Sequence, residues 1–239
     1  MQVSYFETGR YYAPSNLPRQ WPMPAGAYDR EAGLRAFRGM VERSRYVEEL
    51  GFDWVSVSEH HYSPRILTPS LPIAAAYIAS HVHNIKIALL GPIVPQSNPV
   101  LLAEEMAMLD TMAEGRLIVG MLRGTTNEML TYDLNPEESR ERTDEGMELI
   151  LRAWTEPQPF GWQGRRFHYR TVSVWPKPLQ QPLPPTEIVG GVGLHKSSPS
   201  VRSSCMKPVH SRCAPARNGR ADITAPVSSR ISVVTEASR

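Results

Sequence analysis

Short apolar blocks alternate along the chain with longer stretches in which apolar residues recur at helical spacing. Between residues 32 and 50 apolar side chains recur on one side of a helix, at positions 34, 37, 40, 41, 47 and 50, and Gly51 comes directly after them. This pattern predicts an amphipathic helix that ends at a glycine. Five short apolar blocks predict strands, at residues 2–6, 53–58, 85–91, 116–122 and 186–191.

Three further segments carry helix signals. Pro72 suits the first turn of a helix over 71–82, and a second helix is predicted over 98–115, where a glycine closes it. The third, over 135–155, begins with Asn135 as a capping residue, Pro136 at the first position, and Glu138 placed to reach back to the cap. The chain is therefore predicted to run strand–helix four times and then to add a fifth strand.

Repeated strand–helix units with short connections predict an α/β fold with parallel strands and right-handed crossovers. Either an open doubly wound sheet or a (β/α)₈ TIM barrel satisfies this order. The glycine fingerprint of a dinucleotide-binding turn is absent after the first strand, and the loops after the first two strands are long and polar. Both features favour the barrel, with its site at the carboxyl ends of the strands.

Composition changes near residue 192. The stretch 192–239 is rich in Ser, Arg and Pro, has no aromatic residue, and shows no sustained periodicity. Such a segment buries too little apolar surface to offset its ordering entropy, which predicts a poorly ordered tail. An alternative interpretation is that the native reading frame was lost near Gly191. We therefore expect an incomplete barrel of about five βα units over 1–191, followed by a disordered or non-native tail over 192–239.

The overall composition narrows the functional classes. A formal net charge of +2 over 239 residues is too near neutral to suggest a nucleic-acid partner. No window approaches the ~20 apolar residues of a membrane span, and the start lacks the pattern of a secretory signal. Only two cysteines, Cys205 and Cys213, occur. We expect a cytoplasmic, disulfide-free protein without a membrane or nucleic-acid partner.

Ionisable and polar residues follow three of the predicted strands, where a barrel gathers its chemistry. They are Glu59, His60 and His61 after the second strand, Gln96 and Asn98 after the third, and Arg123, Thr125, Asn127 and Glu128 after the fourth.

The histidine pair is either merely solvated or functional. Zinc is the weaker functional option, because the pair lacks helical His-Glu-x-x-His spacing and an obvious third ligand, so no metal site is predicted. An imidazole acting as general base or hydrogen-bond donor fits better. Arg123 suits either a surface ion pair or a bidentate phosphate contact, with Gly124 allowing close backbone approach.

Two groups on the third helix have simpler interpretations. Glu104 and Glu105 are expected to solvate a helix face, and the methionines at 106, 108 and 112 are expected to fill the core.

Four stretches together resemble the bacterial luciferase-like monooxygenase family over roughly residues 1–190: "ELGFDWVSVSEHHYSP", "IKIALLGPIVPQSNPVLLAEEMAMLDTMAEGRLIVGMLRGTTNE", "ESRERTDEGMELILRAWT" and "FHYRTVSVWPKPLQQPLPP". The resemblance implies a (β/α)₈ barrel that is often dimeric. After "PPTEIVGG" the family continues through three more βα units, in place of which this chain has its Ser/Arg-rich tail.

The resemblance also implies a cofactor and a reaction. Family members bind reduced FMN, commonly supplied by a separate reductase, or in one branch the deazaflavin F420. The FMN enzymes add O₂ to the flavin, and the resulting C4a-hydroperoxide oxidises a small organic substrate. We therefore expect a flavin-dependent monooxygenase that forms a homodimer. The alternatives are an F420-dependent dehydrogenase on the same barrel, or an inactive partial barrel that binds flavin or dimerises.

Matching the family motifs residue by residue gives the expected site. His60 would lie near the reacting flavin as acid–base or hydrogen-bond donor, with Glu59 and His61 flanking and orienting it. Arg123, beside Gly124, would contact the flavin phosphate. The turn around Leu89, Leu90 and Gly91 would lie against the isoalloxazine ring, where some relatives carry a cis non-proline peptide.

Overall fold

A computed structural model describes residues 2–13, 16–188 and 232–233. The helices are α1 (Arg30–Glu49), α2 (Leu71–Ala79), α3 (Pro99–Met112), α4 (Thr126–Thr131) and α5 (Pro136–Thr155). The strands are β1 (Val3–Phe6), β2 (Trp54–Val57), β3 (Lys86–Ile93), β4 (Leu117–Leu122), β5 (Phe160–Gln163), β6 (His168–Val172), β7 (Thr186–Ile188) and β8 (Ser232–Val233).

The main sheet is parallel in every described pairing and has the strand order β7-β4-β3-β2-β1-β8. From β1 to β7 each strand pairs with the next strand of the main sheet along the chain. A doubly wound sheet reverses direction partway, whereas a barrel adds each strand beside the last. The predicted α/β fold of barrel type, with about five parallel units, is confirmed in the described residues.

The predicted tail over 192–239 and the boundary at Gly191 lie outside the described residues, apart from β8. That short strand pairs in parallel with β1, Val3 against Ser232. Of the described stretches 2–13, 16–188 and 232–233, none contains a helix long and apolar enough to cross a lipid bilayer.

Side-chain caps set the helix starts that the sequence predicts. The Asn98 side chain accepts from the backbone N–H groups of Val100 and Leu101, and Asn135 accepts from the N–H of Glu137. These bonds satisfy N–H groups that lack a partner inside the helix. Glu138 pairs with Arg166 at 3.0 Å, so the predicted reach of its carboxylate back to the cap is replaced by an ion pair.

The hydrophobic core lies between the sheet and the helices. Val57, Leu89 and Val119 occupy matching positions on β2, β3 and β4, and all three are fully buried. Because side chains alternate along a strand, the opposite face carries the intervening residues. Next to these three positions they are Ser56 on β2, Ala88 and Leu90 on β3, and Ile118 and Gly120 on β4. Of the methionines expected in the core only Met106 is buried, since Met108 and Met112 are exposed.

An antiparallel hairpin of β5 and β6, which the sequence pattern did not predict, follows α5 and packs back against it. One carboxylate fastens it: Glu145 on α5 accepts from the Trp162 indole and from the backbone N–H groups of residues 165, 166 and 167. Four hydrogen bonds to this single side chain fix the orientation of the hairpin relative to α5.

The close approach of β3 and β4 can be tested by substituting Gly91. A Cβ there would lie 2.1 Å from the Gly120 carbonyl oxygen, whereas a Cβ at Gly26 would meet nothing within 4 Å. We expect Gly91→Ala to lower the free energy of unfolding by about 1–3 kcal/mol, because the backbone of β4 has to shift. Urea denaturation measures this, with Gly26→Ala as the matched control. Equal midpoints for both variants would contradict the strand contact.

Candidate functional site

Glu59, His60 and His61 follow shortly after β2, and their side chains differ in exposure. The Glu59 and His61 side chains are 9% and 5% exposed, whereas that of His60 is 37% exposed. β2 ends at Val57, so the three residues belong to the loop that follows it. Of their side chains, only that of His60 is substantially exposed.

Glu59 joins the ends of β2 and β3. Its Oε1 accepts from the Gln96 side-chain amide at 2.6 Å and lies 3.0 Å from His61 Nε2, while its Oε2 accepts from the Ile93 N–H at 3.2 Å. The His61 carbonyl in turn accepts from the Trp21 indole. This network holds the backbone on both sides of His60.

His60 is tied to the loop after β4. Its Nδ1 lies 3.0 Å from Glu128 Oε1, and Glu128 is 3% exposed. The other carboxylate oxygen of Glu128 accepts from both the backbone N–H and the hydroxyl of Thr125. Thr125 and Glu128 thereby form the capping box of α4. One buried carboxylate thus links the ends of β2 and β4 across β3.

The surroundings of Glu128 favour its ionised form. Burial acts to raise the pKa of this carboxyl, but the hydrogen bonds from Thr125 and His60 outweigh burial and lower the pKa. The carboxylate is therefore ionised at neutral pH and can only accept hydrogen bonds.

A cavity of about 230 Å³ adjoins the buried side of Glu59 and reaches Gln96, Glu105 and Tyr132. Burial raises the pKa of Glu105, and the Glu59 carboxylate adds to this effect. The pKa of Tyr132 is raised by burial and then by Glu59 and Tyr62. Glu105 is therefore not a simple solvated residue of a helix face, contrary to the sequence-based expectation.

Arg123 and Gly124 begin the same loop that ends in Glu128. Arg123 is exposed and makes no hydrogen bond or ion pair with any residue that the structure describes. Gly124 has φ +84°, and a Cβ there would lie 2.8 Å from the Ile93 side chain. A glycine is thus required at this position both by its backbone conformation and by its contact with β3.

Leu89, Leu90 and Gly91 lie within β3, which continues to Ile93, and not in a turn as the sequence suggested. The Leu89 side chain is fully buried in the core between the sheet and the helices, so only its backbone can face the opposite side of the sheet. Leu90 is half-buried, and the Leu90–Gly91 peptide is cis.

Glu128 is the residue whose part the sequence analysis missed. It was noted only as one of several polar groups after β4. The signal was present, because Thr125 and Glu128 have the Thr-x-x-Glu spacing of a capping box just after a strand. The pairing with His60, 68 positions away, has no local signature.

Comparison with known proteins identifies a family match over most of the chain. The family described as luciferase-like monooxygenase matches residues 16–198. Among curated relatives, the alkanal monooxygenase alpha chain of Aliivibrio fischeri is 26% identical over 139 residues, which cover 58% of this chain and 39% of the relative. The chain spans less than half the length of the curated relatives it matches.

Solved structures agree on the fold. The monooxygenase RslO1 from Streptomyces bottropensis superposes with a TM-score of 0.66 at 25% identity, covering 78% of this chain and 52% of that one. The oxygenating constituent of a 3,6-diketocamphane monooxygenase from Pseudomonas putida, in complex with FMN, gives 0.59 at 17% identity, covering 72% and 43%. An F420-dependent secondary alcohol dehydrogenase with an F420–acetone adduct gives 0.58 at 19%, covering 79% and 51%.

Thr125→Val tests the hydrogen bonding of Glu128. The folded state lowers the pKa of Glu128, so its stabilising contribution is present above the unfolded pKa of about 4.3 and is lost as the pH falls through the folded value. Without the Thr125 hydroxyl we expect a loss of about 1 kcal/mol at neutral pH. We also expect a smaller further loss on acidification than in the unsubstituted protein.

Urea denaturation at about pH 7 and about pH 4 measures both effects. Thr155→Val, which removes a hydroxyl bonded only to carbonyls at the end of α5, is the control. An identical acid dependence in the Thr125→Val variant and the unsubstituted protein would contradict the assignment.

Proposed function

Because the chain belongs to the luciferase-like monooxygenase family, we propose that it binds a reduced flavin at the carboxyl ends of β2–β4 and oxidises a small organic molecule with molecular oxygen. The observation that carries this proposal is the hydrogen bond between His60 and Glu128. That bond joins a partly exposed imidazole to the loop that begins with Arg123, which has no partner among the described residues.

The residues present fit the flavin phosphate. Arg123 is exposed and has no partner among the described residues, so its guanidinium is available for a bidentate contact. Gly124 follows it with φ +84° and packs against Ile93, so the loop leaves β4 in a conformation that a larger residue would strain. Arg123 and Gly124 would therefore hold the phosphate, as the family resemblance implies.

The remaining residues would serve the reaction. When bound, a reduced flavin supplies the electrons that activate oxygen. His60 would accept or return a proton at Nε2, while Glu59 and His61 hold its backbone in place. Leu90 and Gly91, in the last part of β3, would lie beside the planar ring, as the family resemblance implies.

A deazaflavin dehydrogenase is the second candidate, since an F420-dependent alcohol dehydrogenase superposes nearly as well as an FMN-bound monooxygenase. In that case the same phosphate site and the same histidine would serve hydride transfer without oxygen. For the monooxygenase, a separate reductase would deliver the reduced flavin.

We also propose that the chain forms a homodimer through the outer sides of α2 and α3. The sequence of α2, LPIAAAYIA, is apolar all round, and a helix of that kind is normally covered on every side. The outer sides nevertheless carry exposed large apolar residues, which are Ile73, Tyr77, Leu101, Met108 and Met112. A two-fold axis lets one such patch cover its own copy, which is the commonest arrangement of soluble oligomers.

Arg123→Ala tests the cofactor site. We expect this variant to bind reduced FMN about 10- to 100-fold more weakly, which corresponds to losing a hydrogen bond to a charged group. Binding of reduced riboflavin, which lacks the phosphate, is expected to change little. Anaerobic titration followed by tryptophan fluorescence measures both affinities. Arg140→Ala, which removes another exposed arginine, is the control.

The same titration with reduced F420 decides between the two candidates, together with oxygen consumption during turnover. A folded protein that binds neither cofactor would overturn the proposed function. Equal losses of affinity for FMN and riboflavin in Arg123→Ala would overturn the phosphate contact without contradicting flavin binding by the unsubstituted protein.

Met108→Glu tests the dimer. A charge in the middle of the apolar patch is expected to give monomers, because it would be buried without a partner in the interface. Light scattering coupled to size-exclusion chromatography measures the mass. Leu130→Glu, at an exposed apolar residue of α4, is the control and keeps the dimer. A dimeric Met108→Glu variant, or a monomeric unsubstituted protein, would contradict the proposal.

A further inference from the structure

The geometry points to Glu128 as the residue that positions the His60 imidazole. Its carboxylate accepts a hydrogen bond from Nδ1–H, so the proton stays on Nδ1 and Nε2 is the unprotonated nitrogen at the site. Glu128 is thus a positioning residue that acts through His60. The inference rests on the proposed function only for what Nε2 then does to a substrate. The placement of the proton is a property of the protein by itself.

The first step is the polarity of the hydrogen bond. His60 Nδ1 and Glu128 Oε1 are 3.0 Å apart, and the carboxylate is ionised. An ionised carboxylate has no proton to give, so the hydrogen in this bond belongs to Nδ1. In a neutral imidazole one nitrogen carries the proton and the other is an acceptor, which leaves the lone pair on Nε2.

The second step is the rigidity of the carboxylate. Its other oxygen accepts from the backbone N–H of Thr125 at 3.0 Å and from the Thr125 hydroxyl. Each oxygen thus has its own partner, and only 3% of the side chain is exposed. Burial and these bonds restrain the carboxylate against turning away from His60.

The third step is the availability of Nε2. It has no hydrogen-bond partner among the residues the structure describes, and the His60 side chain is 37% exposed. The backbone N–H of His60 donates to the Thr68 carbonyl, which fixes the Cα position from which the ring extends. Ring and backbone are both held, and the one free ring nitrogen is an acceptor. In its neutral form His60 is therefore prepared to take up a proton.

Glu128→Gln gives a sharp test because the variant is isosteric but has a single oxygen. The backbone N–H of Thr125 can only donate, so the amide oxygen has to face it. The amide NH₂ then faces His60 and donates to Nδ1, which places the His60 proton on Nε2. We expect the ring tautomer to reverse while the helix cap is preserved.

Ring ¹⁵N chemical shifts of the cofactor-free protein report the tautomer, measured at about pH 9, where an ordinary imidazole holds one proton. His60→Gln identifies the His60 signals. Glu137→Gln, in the first turn of α5 and away from His60, is the matched control and keeps the original tautomer. The inference is overturned if the unsubstituted protein carries the proton on Nε2, or if a folded Glu128→Gln variant keeps it on Nδ1.

Turnover gives the second readout. We expect Glu128→Gln to lower kcat at least about tenfold, a part of what a positioned acid–base group contributes, with the affinity for reduced FMN unchanged. The double variant with His60→Gln is expected to be no slower than His60→Gln alone, because the two residues act as one unit. If the protein does not bind flavin, the proposed function fails, but the tautomer experiment remains decisive for the inference.

Discussion

The site depends on the parallel pairing of three consecutive strands, because parallel strands end at the same edge. The pairings of Val57 with Leu89 and of Leu89 with Val119 bring the ends of β2, β3 and β4 to one rim. Residues that are more than 60 positions apart in the chain, such as His60 and Glu128, thereby come within hydrogen-bond distance. After β2, three consecutive residues differ in their surroundings. The His60 side chain is partly exposed, whereas those of Glu59 and His61 are buried.

Buried carboxylates hold the rim after three of the strands. Glu7, after β1, accepts from the Arg43 guanidinium of α1 and from the backbone N–H of Gly9. Glu59, after β2, accepts from the backbone of β3 and from Gln96. Glu128 does the same for the loop after β4. A buried charge is costly without partners, and each of these is fully engaged by neighbouring segments. The loops are thus fixed by directional bonds where apolar packing is thin.

Much of the fold follows from local pattern. Helical spacing, capping residues such as Asn98 and Asn135, and short apolar blocks gave the order of elements and the parallel sheet. The β5–β6 hairpin was missed because its contacts with the preceding helix, those of Glu145 among them, cannot be read from the alternation of its own residues. Strand order also pointed to the rim and to Glu59, His60 and Arg123. The difference in burial between His60 and His61 could not be predicted, since it depends on the segments that each side chain contacts.

The contact of Glu128 with His60 could not be predicted from the local sequence for a similar reason. Its capping box is visible in four residues, but its bond to His60 requires the strands to be laid side by side first. The expected turn at Leu89–Gly91 was also misplaced, because β3 continues through its glycine to Ile93. In each case contacts between segments far apart in the chain determine the structure, so residues adjacent in the sequence could not predict it.

The strand order has a consequence for the way the chain reaches its native state. Each strand from β2 to β4 pairs with the strand of the main sheet that was synthesised just before it. A growing chain can therefore add one unit at a time at the free edge as it leaves the ribosome, without waiting for a distant partner. Closing short loops costs less entropy than closing long ones, so this vectorial assembly favours early formation of the N-terminal units.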